Sequence, residues 1–340
     1  MTRLFSVANT PIPTLLRLKR VSTEIEFINL ITDAAHTVTW DSDGDGVDET
    51  YYWVELDAAN TYTGKGSGIA GKLRILATNL GVENENAADF GDLYQWGRIA
   101  DGHQTIGWDS TETTISGTIT KTIAFDAATT SSSIAKTAGT ITYDSNPAAE
   151  NGAPFGQIID NDHKGKFVYG ANYWYQNRAE GDYFWADNGY AKTANDPCPT
   201  GWHVPTQYEW GAIISGIANS NTGALVGGVY TTQYNTWRFS PASNATAPAG
   251  YNYHAGGVVV TAQDKSKSAF LLAVGRRYSA DGTLGYTGEQ GFYWSSTGFP
   301  GDSNTYRFVF DNVQLISPGY SNASNKSHGY PVRCVSELEQ

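Results

Sequence analysis

HVPTQYEWGAIISGIAN, residues 203–219, is the stretch whose reading decides the fold. Thr206 and Glu209 stand in the T-x-x-E spacing of a capping box. In that motif a hydroxyl accepts an N–H of the first helical turn, and a carboxylate reaches back to the cap residue's own N–H. Trp210, Ile213, Ile214 and Ile217 follow at helical spacing, so the pattern predicts a helix over about 207–218. Downstream, residues 220–340 read as short strands separated by loops of Gly, Asn and Ser. Tyr306, Phe308 and Phe310 alternate with Arg307 and Val309, the period of a half-buried strand, and residues 332–335 read as the closing strand.

Working back from the helix, residues 167–190 are crowded with aromatic side chains. ENAADFGDLYQWG (85–97) predicts a second helix, with Phe90, Leu93 and Tyr94 on one side and Gly97 as its stop. KLRILATNLG (72–81) reads as a strand and a turn; HTVTW (36–40) and YYWVEL (51–56) read as strands joined by DSDGDGVDET (41–50). Residues 21–35 favour a strand, and residues 1–20, with Pro11, Pro13, Arg17, Lys19 and Arg20, read as an extended docking arm. Residues 110–146 are rich in Thr, Ser and Ala, with Ile115, Ile119 and Ile123 isolated among polar neighbours, as in an exposed ribbon or a flexible insertion. The division expected is an N-terminal arm and small β-domain over 1–70, for docking or oligomerisation, and a main domain over 71–340.

The 22 Lys and Arg against 34 Asp and Glu give a net charge of −12, without the basic footprint that nucleic-acid binding needs. No run of 18 apolar residues is present, so no membrane insertion is expected. Residues 1–20 hold no continuous apolar core, so no secretory signal is read there; a role outside the cell would need another route, such as a virion. Ten Trp, 21 Tyr and 37 Gly against one Met suit β-structure and long ordered loops better than a helical bundle. The two cysteines, Cys198 and Cys334, exclude a disulfide framework or a four-cysteine zinc site. They leave either one long-range bridge or two separate buried thiols.

Candidate chemistry is sparse. Asp41, Asp43, Asp45 and Gly46 match the start of a calcium loop, but its twelfth position is Tyr52 rather than a bidentate Glu. Ca2+ is the one cofactor the residues suggest, and the competing reading, a solvated Asp-Gly turn between strands, is favoured. Ser295 and Ser296 beside Trp294 have no His and Asp in a recognisable relation to them, so that segment reads as core. The six histidines are scattered, without the paired spacing of a metal site.

Four segments stand in order: AADFGDLYQWGR (87–98) with DGHQ (101–104), DPCPTGWHVPTQYEW (196–210), GFYWSST (291–297) and GYPVRCV (329–335). Together they resemble the Fibrobacter succinogenes major paralogous domain over roughly 72–336, with a Thr/Ser-rich insertion at about 105–160. That resemblance implies a C-type-lectin-like fold of the formylglycine-generating-enzyme type, hence an α+β class with few helices, short strands and long ordered loops. It also implies that Cys198 and Cys334 bridge, because the closing strand of such a fold runs back beside early elements. Formylglycine-generating enzymes use a close cysteine pair near the C-terminus; here only Cys334 lies there, so a non-enzymatic protein is expected. The E-P-N, Q-P-D and W-N-D signatures of calcium-dependent sugar lectins are missing.

Proteins similar to this one, with YWSST about 40 residues before a terminal RCV, are often variable proteins of diversity-generating retroelements. The resemblance therefore implies a binding site within about 276–328. Residues 298–328 mix Asn, Ser, Gly, Asp and Tyr, the palette of an adaptable paratope on a rigid scaffold. The candidate ligand-binding residues are Tyr278, Tyr286, Phe299, Asp302, Asn304, Tyr306, Asn312, Gln314, Tyr320, Asn322 and Asn325, with Arg276, Asp281 and Gln290 joining the same surface. The ligand class expected is a cell-surface protein or glycan. The setting expected is a phage tail tip or a bacterial surface adhesin, with homotrimeric display through residues 1–35 raising avidity. The competing account is a fixed-specificity structural or adhesive surface protein.

Overall fold

The computed structural model describes residues 36–42, 46–58, 72–82, 90–106, 140–142, 165–170, 172–174, 184–186, 191–214, 221–224, 229–231, 235–240, 257–262, 268–286, 290–298, 304–311, 314–316 and 323–337. Among them stand nineteen strands and one helix, so the expected α+β class is corrected to a mostly β protein. The physical reason lies partly in the segment expected to be a second helix. Over residues 90–97 the backbone N–H groups do not bond four residues back. That of Asp92 donates to the Leu80 carbonyl (2.8 Å), that of Leu93 to Gln104 (3.0 Å) and that of Trp96 to Lys326 (3.0 Å). Gly91 adopts φ +68°, and a Cβ there would lie 2.4 Å from the Leu80 carbonyl oxygen, so the chain turns sharply where a helix would continue.

The helix that does form, α1 (Gln207–Ile214), starts as the capping box prescribes. The Glu209 N–H donates to Thr206 Oγ1 (3.1 Å), and the Thr206 N–H donates to Glu209 Oε2 (2.7 Å).

Beside this helix the described residues form four antiparallel sheets, of which the fourth, through residues 291–298 and 304–310, packs directly on it. The first orders β1 (Thr37–Trp40), β2 (Glu49–Asp57), β3 (Lys72–Leu76) and β19 (Val335–Glu337), joining residues from both sides of position 70 to the chain's last strand. A second orders β11 (Ser268–Leu272), β10 (Gly257–Ala262), β9 (Asn235–Ser240) and β8 (Val229–Thr231). The third orders β13 (Leu284–Gly285), β12 (Arg276–Arg277), β18 (Gly329–Tyr330) and β4 (Tyr94–Gln95). In the fourth, β14 (Gly291–Gly298), β15 (Asn304–Phe310), β16 (Gln314–Ile316) and β7 (Asn221–Ala224) run in order, with β17 (Ala323–Asn325) also on β15. A parallel pair joins β5 (Thr140–Thr142), inside the expected insertion, to β6 (Phe167–Tyr169).

Strands β14 and β15 stand between two cores. Successive side chains of a strand point to opposite faces. Tyr293, Phe308 and Phe310 therefore face a cluster with Trp210, Ile213, Val54, Ile75 and Leu271, while Phe292, Trp294 and Val309 face one with Trp96, Trp174, Trp185 and Tyr330. From Phe308 to Phe310 every residue of β15 is buried, so the half-buried strand expected from its alternation holds only over its first half.

The second core is rich in indoles, and a buried indole N–H needs an acceptor. Trp96 donates to the Ser295 carbonyl (2.8 Å), Trp174 to Trp96 (2.7 Å), Trp185 to Arg98 (3.0 Å) and Trp294 to Tyr94 (2.6 Å). Two of the acceptors, Trp96 and Arg98, lie on backbone outside any strand, while Ser295 and Tyr94 tie β14 and β4 to the same core. Gln95 adds to them, donating to the Val168 and Ser327 carbonyls (2.7 and 2.9 Å) and accepting the Val168 N–H (3.0 Å). Cys198 and Cys334 form a disulfide within this core, the outcome the resemblance implied.

Candidate ligand-binding site

The third sheet carries the residues that gather on one face. Strand β12 pairs with β13 across a tight loop: the Tyr278 N–H donates to the Thr283 carbonyl (2.7 Å), and the Gly282 N–H to the Tyr278 carbonyl (2.9 Å). Asp281 Oδ1 accepts both the N–H and the hydroxyl of Thr283 (3.0 and 2.7 Å), which closes the loop. The loop is anchored outside itself as well. The Ser279 N–H donates to His328 Nδ1 (2.9 Å), and the Ser279 carbonyl accepts the Gly170 N–H (2.7 Å).

Tyr278 is half-buried and lies across β13, where only glycine leaves room for it: a Cβ on Gly285 would be 2.4 Å from the ring. Tyr286 follows directly. It is 40% exposed and has φ +61°, a left-handed backbone that a bulky side chain adopts at a cost. Its ring centroid lies 6.4 Å from that of Tyr278 and 6.0 Å from that of Phe292.

Arg276 sits among these rings. Its guanidinium carbon lies 4.5 Å from the Tyr278 centroid and 5.1 Å from both Tyr286 and Phe292. Burial opposes the charge, but the Tyr330 and Tyr278 hydroxyls outweigh it, so the proton is held more firmly than in an ordinary arginine. On β15, Arg307 lies 5.1 Å from the Phe292 centroid and donates to the Tyr330 hydroxyl (2.6 Å) and to Ser324 Oγ (3.3 Å). Beneath both arginines His328 is stacked on Tyr330 at 5.6 Å. Its pKa is pushed down to about 3, first by burial and then by the charges of Arg276 and Arg307. The neutral ring accepts the Ser279 N–H at Nδ1, which leaves the proton on Nε2.

Of the residues expected to bind ligand, Tyr278, Tyr286 and Asn325 come together here. Asn325 donates through Nδ2 to Asn172 Oδ1 (2.9 Å) and Ser279 Oγ (3.3 Å). Asn304 is half-buried and paired in register with Asn325. Tyr306, also half-buried, pairs with Ala323 on the same strand edge. Gln314 starts β16 opposite Ala224, and its side chain lies outside the described set. Phe299, Asp302, Asn312, Tyr320 and Asn322 lie outside the described residues. Arg307, Phe292, His328 and Tyr330 are the members that sequence reasoning missed as site residues. Their only signal was an arginine in a strand without a neighbouring acid, and the flanking motifs read as scaffold.

At the acidic turn, Asp41 Oδ2 accepts the Gly46 N–H (2.9 Å), as a solvated Asp-Gly turn does. Asp43 and Asp45 lie outside the described residues.

The family model described as the Fibrobacter succinogenes major domain matches residues 49–336. No curated protein and no solved structure matches the chain.

Proposed function

The chain belongs to the Fibrobacter succinogenes major domain family, and from that premise we propose that it is a non-enzymatic ligand-binding protein. Its ligand would be a cell-surface protein or glycan, and its binding face the Arg276–Tyr278–Tyr286 side of the third sheet. The observation that carries this reading is Tyr286. An exposed aromatic is held in a left-handed backbone beside Tyr278 and Arg276, on a frame of buried indoles and a disulfide. Strained backbone of this kind clusters at ligand clamps, which supports a contact role for a ring that packs on Tyr278 and Phe292 and still stays 40% exposed. Tyr supplies rigid contact area at low entropic cost, and Asn325, bonded to Ser279 next to Tyr278, supplies a polar side chain at the edge of the face.

The finer reading is of a variable protein of a diversity-generating retroelement, on a scaffold related to the C-type-lectin-like group. It would be displayed on a phage tail tip or a bacterial surface, as a homotrimer that multiplies modest affinity per site. The order of the motifs supports it: YWSST and RCV bracket an Asn/Ser/Tyr-rich stretch.

An alanine series at Tyr278, Tyr286 and Asn325, scored for melting and for binding of labelled protein to a panel of intact bacterial cells, tests the binding face. Binding should fall while the melting temperature holds. Unchanged binding would instead favour a structural surface protein. Deep sequencing of the 3′ end of the gene in its source population tests diversification. Substitutions clustered in codons 276–328 support it, and an invariant tail rejects it.

A further inference from the structure

Tyr286 keeps a left-handed backbone at φ +61° while its ring stays 40% exposed. A strained pose of that kind persists only where the surroundings over-determine it. The backbone supplies one tie, since the Gln290 N–H donates to the Tyr286 carbonyl at 3.0 Å. The ring has three close neighbours: Tyr278 at 6.4 Å, Phe292 at 6.0 Å and the Arg276 guanidinium at 5.1 Å.

Of these neighbours Arg276 joins the others together. Its guanidinium lies 4.5 Å from the Tyr278 centroid and 5.1 Å from that of Phe292, and it donates to the hydroxyls of Tyr278 and Tyr330. Tyr330 is fully buried, stacked on Phe292 at 5.3 Å and packed on Trp294 at 4.1 Å, so the guanidinium is anchored on the indole-rich core. In the strand register Arg276 stands opposite Gly285, the residue before Tyr286. Its Nε is buried as well, so the group is directed inward and not towards a ligand. A planar cation stacks on rings with its faces and donates in its own plane at the same time, which an ammonium does not. Resting on the binding face proposed above, we infer that Arg276 is a positioning residue: it ties the Tyr286 ring to the buried Tyr330 and sets the pose in which Tyr286 meets the ligand. Ordering one side chain before binding raises affinity by about two- to tenfold.

The test uses the intact, disulfide-bonded chain made with isotope-labelled tyrosine and read by NMR, the Tyr286 ring signal being identified by its loss in Tyr286→Ala. Ring currents from Tyr278 and Phe292 displace that signal from the position of free tyrosine. In Arg276→Gln it should move towards that position, while the signals of the buried Tyr94 and Tyr293 stay. Arg276→Lys should fall between the two, and it decides the matter where Arg276→Gln disturbs the buried signals. Tyr330→Phe removes the anchoring hydroxyl from a fully buried site and should move the Tyr286 signal in the same direction. Binding of these variants to the panel of bacterial cells should weaken by about two- to tenfold. An unmoved Tyr286 signal in Arg276→Gln, full rescue by lysine, or a signal indifferent to Tyr330→Phe would each overturn the inference. The spectra need no ligand, so the two claims fail separately. An unmoved signal, with cell binding lost in Tyr286→Ala, leaves the binding face standing and removes the positioning role. A moved signal, with cell binding unaltered in every variant, removes the face and the role with it.

Discussion

Gly285 lies directly under the ring of Tyr278: a Cβ built on the glycine would come within 2.4 Å of Cε2 and 2.8 Å of the hydroxyl. The side chain that opens the binding face therefore depends on a missing side chain on the neighbouring strand. Gly285→Ala should displace the Tyr278 ring, and overpacking of this kind costs roughly 1–3 kcal/mol. Thermal melting and the near-ultraviolet tyrosine signal check this, and an unchanged spectrum would contradict it.

The Cys198–Cys334 bridge spans a sequence separation of 136. In the chain-entropy account, closing a loop that long stabilises the fold by about 5 kcal/mol. Reduction, or Cys198→Ser with Cys334→Ser, should lower the melting temperature by many degrees. The oxidised native protein should give no thiol labelling. Ready labelling would show the bridge unformed.

At the start of α1, Thr206 and Glu209 exchange two hydrogen bonds, and Glu209 Oε1 also meets His203 Nε2 at 2.7 Å. Burial would raise the Glu209 carboxyl, but His203 and Thr206 outweigh it and hold it below the usual range. Thr206→Ala should cost about 1 kcal/mol in denaturant unfolding, the usual loss for a hydroxyl cap. No measurable loss would mean that the cap is idle.

Two buried histidines shape the first part of the response to acid, before the depressed carboxylates Glu209 and Asp101 take up protons. Burial and Arg98 push His103 down to about 4, and burial with Arg276 and Arg307 pushes His328 down to about 3, both from the ordinary 6.5. A group with a depressed folded pKa binds its proton first in the unfolded chain. Stability from these groups is full above pH 6.5 and declines as pH falls through 6.5 towards those values. Asp196, whose carboxyl burial raises, acts in the opposite sense. His328→Asn keeps an acceptor for the Ser279 N–H and removes one titration, so its unfolding free energy should fall less steeply between pH 6.5 and 4.5, a window of about two units. An identical slope in the variant would contradict the assignment.

How much was legible in the sequence follows from where the deciding partner lies. The capping box was readable because both of its partners sit within four residues. Residues 90–97 were misread because their N–H groups are claimed by Leu80, Gln104 and Lys326, which no local pattern reveals. Strand β15 looked half-buried because one face of a strand shows a period of two, whereas a second core on the other face takes in Val309 as well. Tyr278, Tyr286 and Asn325 were legible by type. Their meeting with Arg307, Phe292 and Tyr330 depends on β12 pairing with β18 across about fifty residues, which no local pattern reveals, as well as on the nearby β14–β15 hairpin.

Tyr286→Gly tests the central claim most directly. Glycine adopts φ near +60° without the penalty that tyrosine bears, which is about 1–2 kcal/mol. If the residue is kept for contact, the variant should melt at the same or a higher temperature and lose binding to every cell type that the parent protein binds. A variant that melts lower while binding cells as well as the parent would contradict the account, because Tyr286 would then serve the fold and not the ligand.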